Sequence, residues 1–300
     1  MTKVCSLQEA VAQYVTDGDC VYCAGFTHLI PFAAGHEIIR QGRKNLILAR
    51  ATPDLIYDQM AAAGTAKKVI FSYIGNPGVG SLRIIRAMLE SGQLEWEEYS
   101  HFGMISRLQA GAAGLPFMPM NQTAAEDLEK SNGQYRRIID PYSGREVVVV
   151  PALKPDVAIV HVQRCDVNGN AHIWGIIGEQ KEAAFASKHV ILTAEEIVSE
   201  DVIRSDPNRT LIPGFIVDAV VESKYAAHPS YTQGYYDRDN AFYLEWDHIS
   251  ENPQTVQNYL DEWVFRVKDR AEYWKKLGSE THQRLAVKSR LAAPVDYGEY

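Results

Sequence analysis

Cysteine is scarce: Cys5, Cys20, Cys23 and Cys165 are the only four among 300 residues. Four thiols make no disulfide framework for a chain this long, so a reduced, cytoplasmic protein is expected. Cys20-x-x-Cys23 has no second Cys-x-x-Cys to complete a zinc site. In a strand, residues three apart face opposite ways, which favours an apolar structural role over a shared metal or redox pair. No apolar run approaches the ~20 residues that span a bilayer. No secretory leader is expected, because Met1-Thr2-Lys3 passes straight into an amphipathic helix predicted over Leu7 to Tyr14. Basic charge is also short. Thirty Lys and Arg against 38 Asp and Glu leave a net charge of −8, which argues against nucleic acid or an anionic membrane as the main partner.

Several catalytic signatures are missing as well. There is no G-x-S-x-G elbow, and His36-Glu37-Ile38-Ile39-Arg40 lacks the closing His of H-E-x-x-H. Ile74-Gly75-Asn76-Pro77-Gly78-Val79-Gly80-Ser81 is glycine-rich, yet it is neither G-x-G-x-x-G nor a Walker loop. Asp166-Val167-Asn168-Gly169-Asn170 fails as a calcium loop, because Ala171 stands where the Gly is required and Ile177 where the closing Glu is. A tight turn is expected there instead. His161 and His172 flank it without the ligand spacing of a zinc site.

What is present reads as a globular protein, 46% apolar and 23% charged. The stretch from Asp17 to Gln41 organises it. Asp17-Gly18 is a turn signal, and Cys20 to Cys23 is a short apolar run suited to a buried strand. Ala24-Gly25 has almost no side chain, so the backbone can bend sharply and a ligand can approach its N–H groups. Pro31 then opens a helical pattern on Ile30, Ala34 and Ile38. A strand, a small-residue turn and a helix start form a corner that accepts oxyanions or phosphates in an open α/β sheet; an ordinary βα turn is the plainer reading.

Strands are predicted at Asn45 to Ala49, Val69 to Tyr73, Leu94 to Ser100, Val157 to Val162, His189 to Thr193 and Val217 to Val221. Helices are predicted at Ile56 to Ala63, Ser81 to Glu90, His101 to Ala113 and Glu179 to Ser187. This alternation implies βαβ units and an α/β fold: an open, mainly parallel sheet with flanking helices. Pro141-Tyr142-Ser143-Gly144 joins Arg136 to Asp140 with Glu146 to Val150 as a small antiparallel hairpin. Leu115 to Pro119 carries two prolines and is placed at an edge or in a loop, and Asn121 to Ser131 is polar. Thr193-Ala194-Glu195-Glu196 reads as a capping box, so both glutamates are taken as structural. Glu98, at the carboxyl end of a strand, is either a site candidate or an exposed carboxylate or helix cap, while Glu95 and Glu97 look solvated. From Pro253, a stripe of Val256, Leu260, Trp263 and Val267 reads as core or subunit interface. One domain over residues 1–300 is expected, with 253–300 a helical C-terminal extension.

The order Asp-Gly, apolar run, small-Gly-Phe, then Pro before a helix resembles the α subunits of the family I coenzyme A transferases. Pro31-Phe32-Ala33-Ala34 through Glu37-Ile38-Ile39-Arg40-Gln41 is similar to the glutaconate CoA-transferase branch, and so is Ala226-Ala227-His228-Pro229-Ser230, while Leu115 to Pro119 resembles the family's Leu-Pro-Phe-x-Pro run. Ala24 stands where the family has the first Gly of Gly-Gly-Phe. The resemblance implies substrate or coenzyme A contacts at Ala24, Gly25, Phe26, Thr27, Asn76, Gly78 and His228, with Glu98 as a catalytic candidate. It implies coenzyme A thioesters as substrates, with no permanently bound cofactor or metal. The nucleophile there is a glutamate in a Glu-x-Gly type motif, which this sequence lacks at Glu37, Glu98, Glu195 and Glu196. A β subunit supplying it, in an α2β2 assembly, is therefore expected. Two alternatives stay open: hydrolysis, decarboxylation or ring opening of a thioester with Glu98 as base, and a non-catalytic subunit holding coenzyme A esters.

Overall fold

The computed structural model describes residues 3–75, 80–120 and 126–287. The expected contacts at Asn76 and Gly78 lie outside the described residues. Strands β1 (Cys20–Cys23), β2 (Leu46–Ala49), β3 (Ala66–Phe71) and β4 (Glu95–Glu98) alternate with helices α1 (Leu7–Tyr14), α2 (Phe32–Arg40), α3 (Leu55–Ala62) and α4 (Arg83–Glu90). After α5 (His101–Ala112), strand β5 (Phe117–Met120), α6 (Glu126–Ser131), β6 (Arg136–Ile139) and β7 (Glu146–Pro151) build a separate three-stranded antiparallel sheet in the order β5-β7-β6. The chain returns through β8 (Val157–Cys165), β9 (Ala171–His172), α7 (Gln180–Ala186), β10 (His189–Ile197), α8 (Glu200–Arg204), β11 (Thr210–Ile212) and β12 (Ala219–Glu222). Helices α9 (Asn240–Ile249), α10 (Pro253–Leu260) and α11 (Arg270–Leu285) complete it.

The main sheet has nine strands. Pairing runs β12-β10-β8-β1-β2-β3-β4, every neighbour parallel, with β9 and β11 attached antiparallel at the far end of β8. From β1 the chain winds outward through β2, β3 and β4; from β8 it winds the other way through β10 and β12. The winding therefore reverses between β1 and β8, and the carboxyl ends of the strands there are where doubly wound sheets bind ligands.

All four residues of β1 are buried, as a central parallel strand requires. Alternation splits them between two cores. Val21 and Cys23 pack with α1 to α4, α9 and α10, whereas Cys20, Tyr22 and Ala24 pack with α5, α7 and the small sheet. The two thiols thus lie on opposite faces, and burial pushes each up to about 12, which leaves them inert. Gly35 lets α2 press against α3: a Cβ there would sit 2.2 Å from Ile56 Cγ1. After Pro253, Val256, Tyr259, Leu260 and Val264 fill the same core as α2 and α3.

Two local expectations give way to tertiary pairing. Thr193 to Glu196 forms no capping box but continues β10, which stays extended because it pairs with β8 as far as Ile197. Thr193 Oγ1 and Glu195 Oε1 instead hold the two ring nitrogens of buried His161, at 2.9 and 2.8 Å. Glu97 is not solvated. It pairs with Lys68 Nζ at 2.5 Å on the neighbouring strand and accepts from the Tyr99 hydroxyl at 2.8 Å.

Candidate active site

The site grows from the end of β1. Ala24 N–H still donates to Ile159 O at 2.9 Å, continuing the ladder. Gly25 then turns at φ 132°, and a Cβ on it would meet His28 O at 2.7 Å and Leu29 O at 2.9 Å. Only glycine fits this bend. Thr27 and Leu29 follow in left-handed conformation, φ 54° and 57°, which costs roughly 1–2 kcal/mol per residue with a side chain. Such strain persists only where surroundings over-determine it.

Here the surroundings come from the segment 228–233. Ser230 Oγ donates to Thr27 O at 2.8 Å, and Leu29 N–H donates to Tyr231 O at 3.0 Å. His28 is buried between the two clamping segments. Its Nδ1 lies 3.0 Å from Ile176 O, and its Nε2 accepts from the Gln233 N–H at 3.0 Å. Burial pushes this imidazole down to about 4, so it is neutral at pH 7, with its single N–H given to Ile176. Phe26, 37% exposed, is left displayed beside Thr27.

Phe26 and Thr27 form one wall of a cleft of about 330 Å³, with Arg50, Thr52, Asp54, Tyr73, Gly75, His101 and Arg238 around the rest. Arg50 and Thr52 follow β2, Tyr73 and Gly75 follow β3, and His101 follows β4. The carboxyl ends of four successive parallel strands thus supply most of the lining. Arg50 is almost wholly buried. Its Nη2 donates to Gly25 O at 2.6 Å, while Nε and Nη1 have no hydrogen-bond partner. The Arg238 guanidinium stacks over the Tyr243 ring at 3.9 Å. Asp54 caps α3, and its Oδ1 accepts from Leu55 N–H at 2.7 Å and from the Tyr243 hydroxyl at 2.9 Å. Glu179 is buried and accepts from the Tyr22 hydroxyl at 3.0 Å. Burial raises its pKa, and Arg50 opposes the rise. A cleft with two guanidinium groups, hydroxyls and one committed carboxylate suits an anionic ligand.

His101 opens α5, and both its ring nitrogens are taken. Thr52 Oγ1 lies 2.8 Å from Nε2 and Ser72 Oγ 3.0 Å from Nδ1.

Of the residues singled out from sequence, Gly25 shapes the bend, Phe26 and Thr27 line the cleft, and Ala24 is buried behind them. His228 is not on the cleft wall. It is fully buried, 3.0 Å from both the Tyr273 hydroxyl and Asp239 Oδ2, and burial pushes it down to about 4. It belongs to the scaffold that carries Ser230. Glu98 ends the edge strand β4, half-buried and outside the residues lining the cleft. Arg50, Thr52, His101 and Arg238 were not anticipated. The first three lie just beyond strand ends, where the carboxyl-end rule reaches them; nothing local marks Arg238. Among the described residues no cluster of three metal-ligating side chains occurs, and no helix is long and apolar enough to cross a membrane.

Comparison with known proteins gives a consistent picture. Residues 4–223 match the family described as Coenzyme A transferase. The A-type subunit of the 3-oxoadipate CoA-transferase of Pseudomonas knackmussii is 45% identical over 92% of this chain and 99% of its own length. The A-type subunit of the glutaconate CoA-transferase of Acidaminococcus fermentans is 36% identical over 99% of this chain and 98% of its own. The crystal structure of glutaconate coenzyme A-transferase from that organism superposes with a TM-score of 0.90, covering 95% of this chain and 96% of that one. The decarboxylase AibA/AibB superposes at 0.74 with 28% identity, over 87% of this chain and 100% of its counterpart.

Proposed function

This chain belongs to the coenzyme A transferase family, and from that premise we propose that it is the A-type component of a two-component enzyme. The enzyme moves coenzyme A between small carboxylic acids, at least one of them a dicarboxylate, and the nucleophilic glutamate is on the partner subunit. One observation carries the reading: among the described residues, the cleft beyond the ends of β1 to β4 has cations and hydroxyls but no glutamate. Its single carboxylate, Asp54, is held by the α3 cap and Tyr243. Both relatives are named as one lettered component of a transferase, after a dicarboxylic acid, and this supports the reading.

In this mechanism the partner's glutamate attacks the thioester, forms an acyl anhydride, and then carries coenzyme A as its own thioester. This chain positions the acyl group. Arg50 and Arg238 hold its distal carboxylate, and the bend at Gly25-Phe26-Thr27 walls the reacting carbonyl. Closure by the partner keeps water from the anhydride. An α2β2 assembly in the cytoplasm fits the scarce, mostly buried cysteines and the acidic composition.

The test is reconstitution. Coenzyme A exchange between succinyl-CoA and a panel of free mono- and dicarboxylates is expected from the chain with its partner and not from the chain alone. Robust exchange by the chain alone would falsify the assignment. Glu98 as the base of a lyase or hydrolase has less behind it, since it stands outside the cleft lining.

A further inference from the structure

Transfer between carboxylates moves no net proton, yet a hydroxyl–imidazole–hydroxyl chain, Thr52–His101–Ser72, stands at the cleft and is left unused by the transfer chemistry. Ser72 Oγ donates to Ala51 O at 2.5 Å, so it accepts at its other side the N–H of His101 Nδ1. With Nδ1 protonated, Nε2 is the acceptor, and the Thr52 hydroxyl donates into it at 2.8 Å. A hydroxyl bonded to an imidazole, itself oriented by a third group, is the arrangement that activates an alcohol as a nucleophile. Thr52 and His101 both line the cleft, beside Arg50 and Arg238. We propose that Thr52, His101 and Ser72 give this chain a second activity, acyl-CoA thioester hydrolysis through an acyl ester on Thr52. The inference rests on the thioester reading of the cleft given above.

The steps balance without any further reactant than water. The Thr52 oxygen bonds to the thioester carbonyl carbon while its proton passes to His101 Nε2. The carbon–sulfur bond breaks, and the departing sulfur takes that proton, leaving free coenzyme A thiol and an acyl ester on Thr52. Water then attacks the ester carbon and gives a proton to the same nitrogen. The carbon–oxygen bond to Thr52 breaks, and the hydroxyl recovers the proton. Ser72 acts only as a positioning residue: it fixes the tautomer that leaves Nε2 free to accept.

The experiment follows thiol release from succinyl-CoA by the full chain, alone and with its partner, and maps the acylated peptide after acid quench. Wild type is expected to exceed the uncatalysed rate and to have the acyl group on Thr52. Thr52→Val and His101→Gln are expected to lower release by about 100-fold or more, while Thr52→Ser retains it and becomes acylated at the serine. Ser72→Ala is expected to shift the pH profile of release. Release at the uncatalysed rate by wild type, an adduct on any residue of this chain other than Thr52, or equal release by Thr52→Val overturns the inference. The adduct map on wild type needs no folded variant. Exchange intact with no thiol release sinks this inference alone; thiol release intact with no exchange sinks the transferase reading alone.

Discussion

Arg50→Met separates what the Arg50 side chain does for the fold from what it does for a ligand. In the free chain its guanidinium makes one bond, Nη2 to Gly25 O at 2.6 Å, and leaves Nε and Nη1 buried without partners. A hydrogen bond from a charged donor contributes about 1.5–3 kcal/mol, and each orphaned buried donor costs about 1–3 kcal/mol. Replacement by an apolar side chain of similar length removes both, so stability is expected to change by less than about 2 kcal/mol. Binding behaves differently. Truncating one partner of a buried charge pair costs about 2–4 kcal/mol, which is roughly 30- to 900-fold in kcat/KM. The assay is steady-state exchange by the reconstituted complex with dicarboxylic and monocarboxylic acyl-CoA esters, beside thermal unfolding. The loss is expected for the dicarboxylic ester and is expected to be small for the monocarboxylic one. An Arg50→Met complex that unfolds early but keeps its kcat/KM for dicarboxylic esters would show that Arg50 serves the bend at Gly25 and holds no substrate.

Gly25→Ala places a Cβ 2.7 Å from His28 O at φ 132°. It is expected to destabilise the chain by about 3 kcal/mol and to abolish exchange, both read on one preparation. His28 gives a pH signature. Its folded pKa is pushed down to about 4 from 6.5, so below pH 6.5 the unfolded chain binds the extra proton and stability falls on acidification, by roughly 3 kcal/mol once pH 4 is passed. His28→Gln is expected to flatten that slope in urea titrations at successive pH values, and an unchanged slope would refute the buried neutral imidazole. Native alkylation with iodoacetamide at pH 8 is expected to spare Cys20, Cys23 and Cys165, each held at about 12 by burial. Rapid labelling of any of the three would contradict their placement.

The elements legible from sequence are those whose signal is local. β1, β2 and β8 are short apolar runs, α2 starts at a proline, and Gly114 stops α5 with φ 71°. Local pattern failed where a neighbouring strand decided the outcome, as in the extension of β10 along β8 and the pairing of Glu97 with Lys68. The site divides the same way. The small residues at Ala24-Gly25 announce a bend, whereas Arg50, Thr52 and His101 are single residues after strands and carry no pattern of their own. Arg238 arrives from between β12 and α9, placed by packing on Tyr243, whose hydroxyl bonds Asp54 at 2.9 Å. His228 was singled out by the resemblance of its segment alone; its burial against Tyr273 and Asp239 is set by tertiary packing that no local pattern announces.

Peptide mapping of the reconstituted complex, quenched during turnover of an acyl-CoA ester and a free acid, decides where the transferred coenzyme A rests. A coenzyme A thioester on a glutamate of the partner chain is the expected result. The same adduct on any glutamate of the present chain would contradict the division of labour between the two subunits.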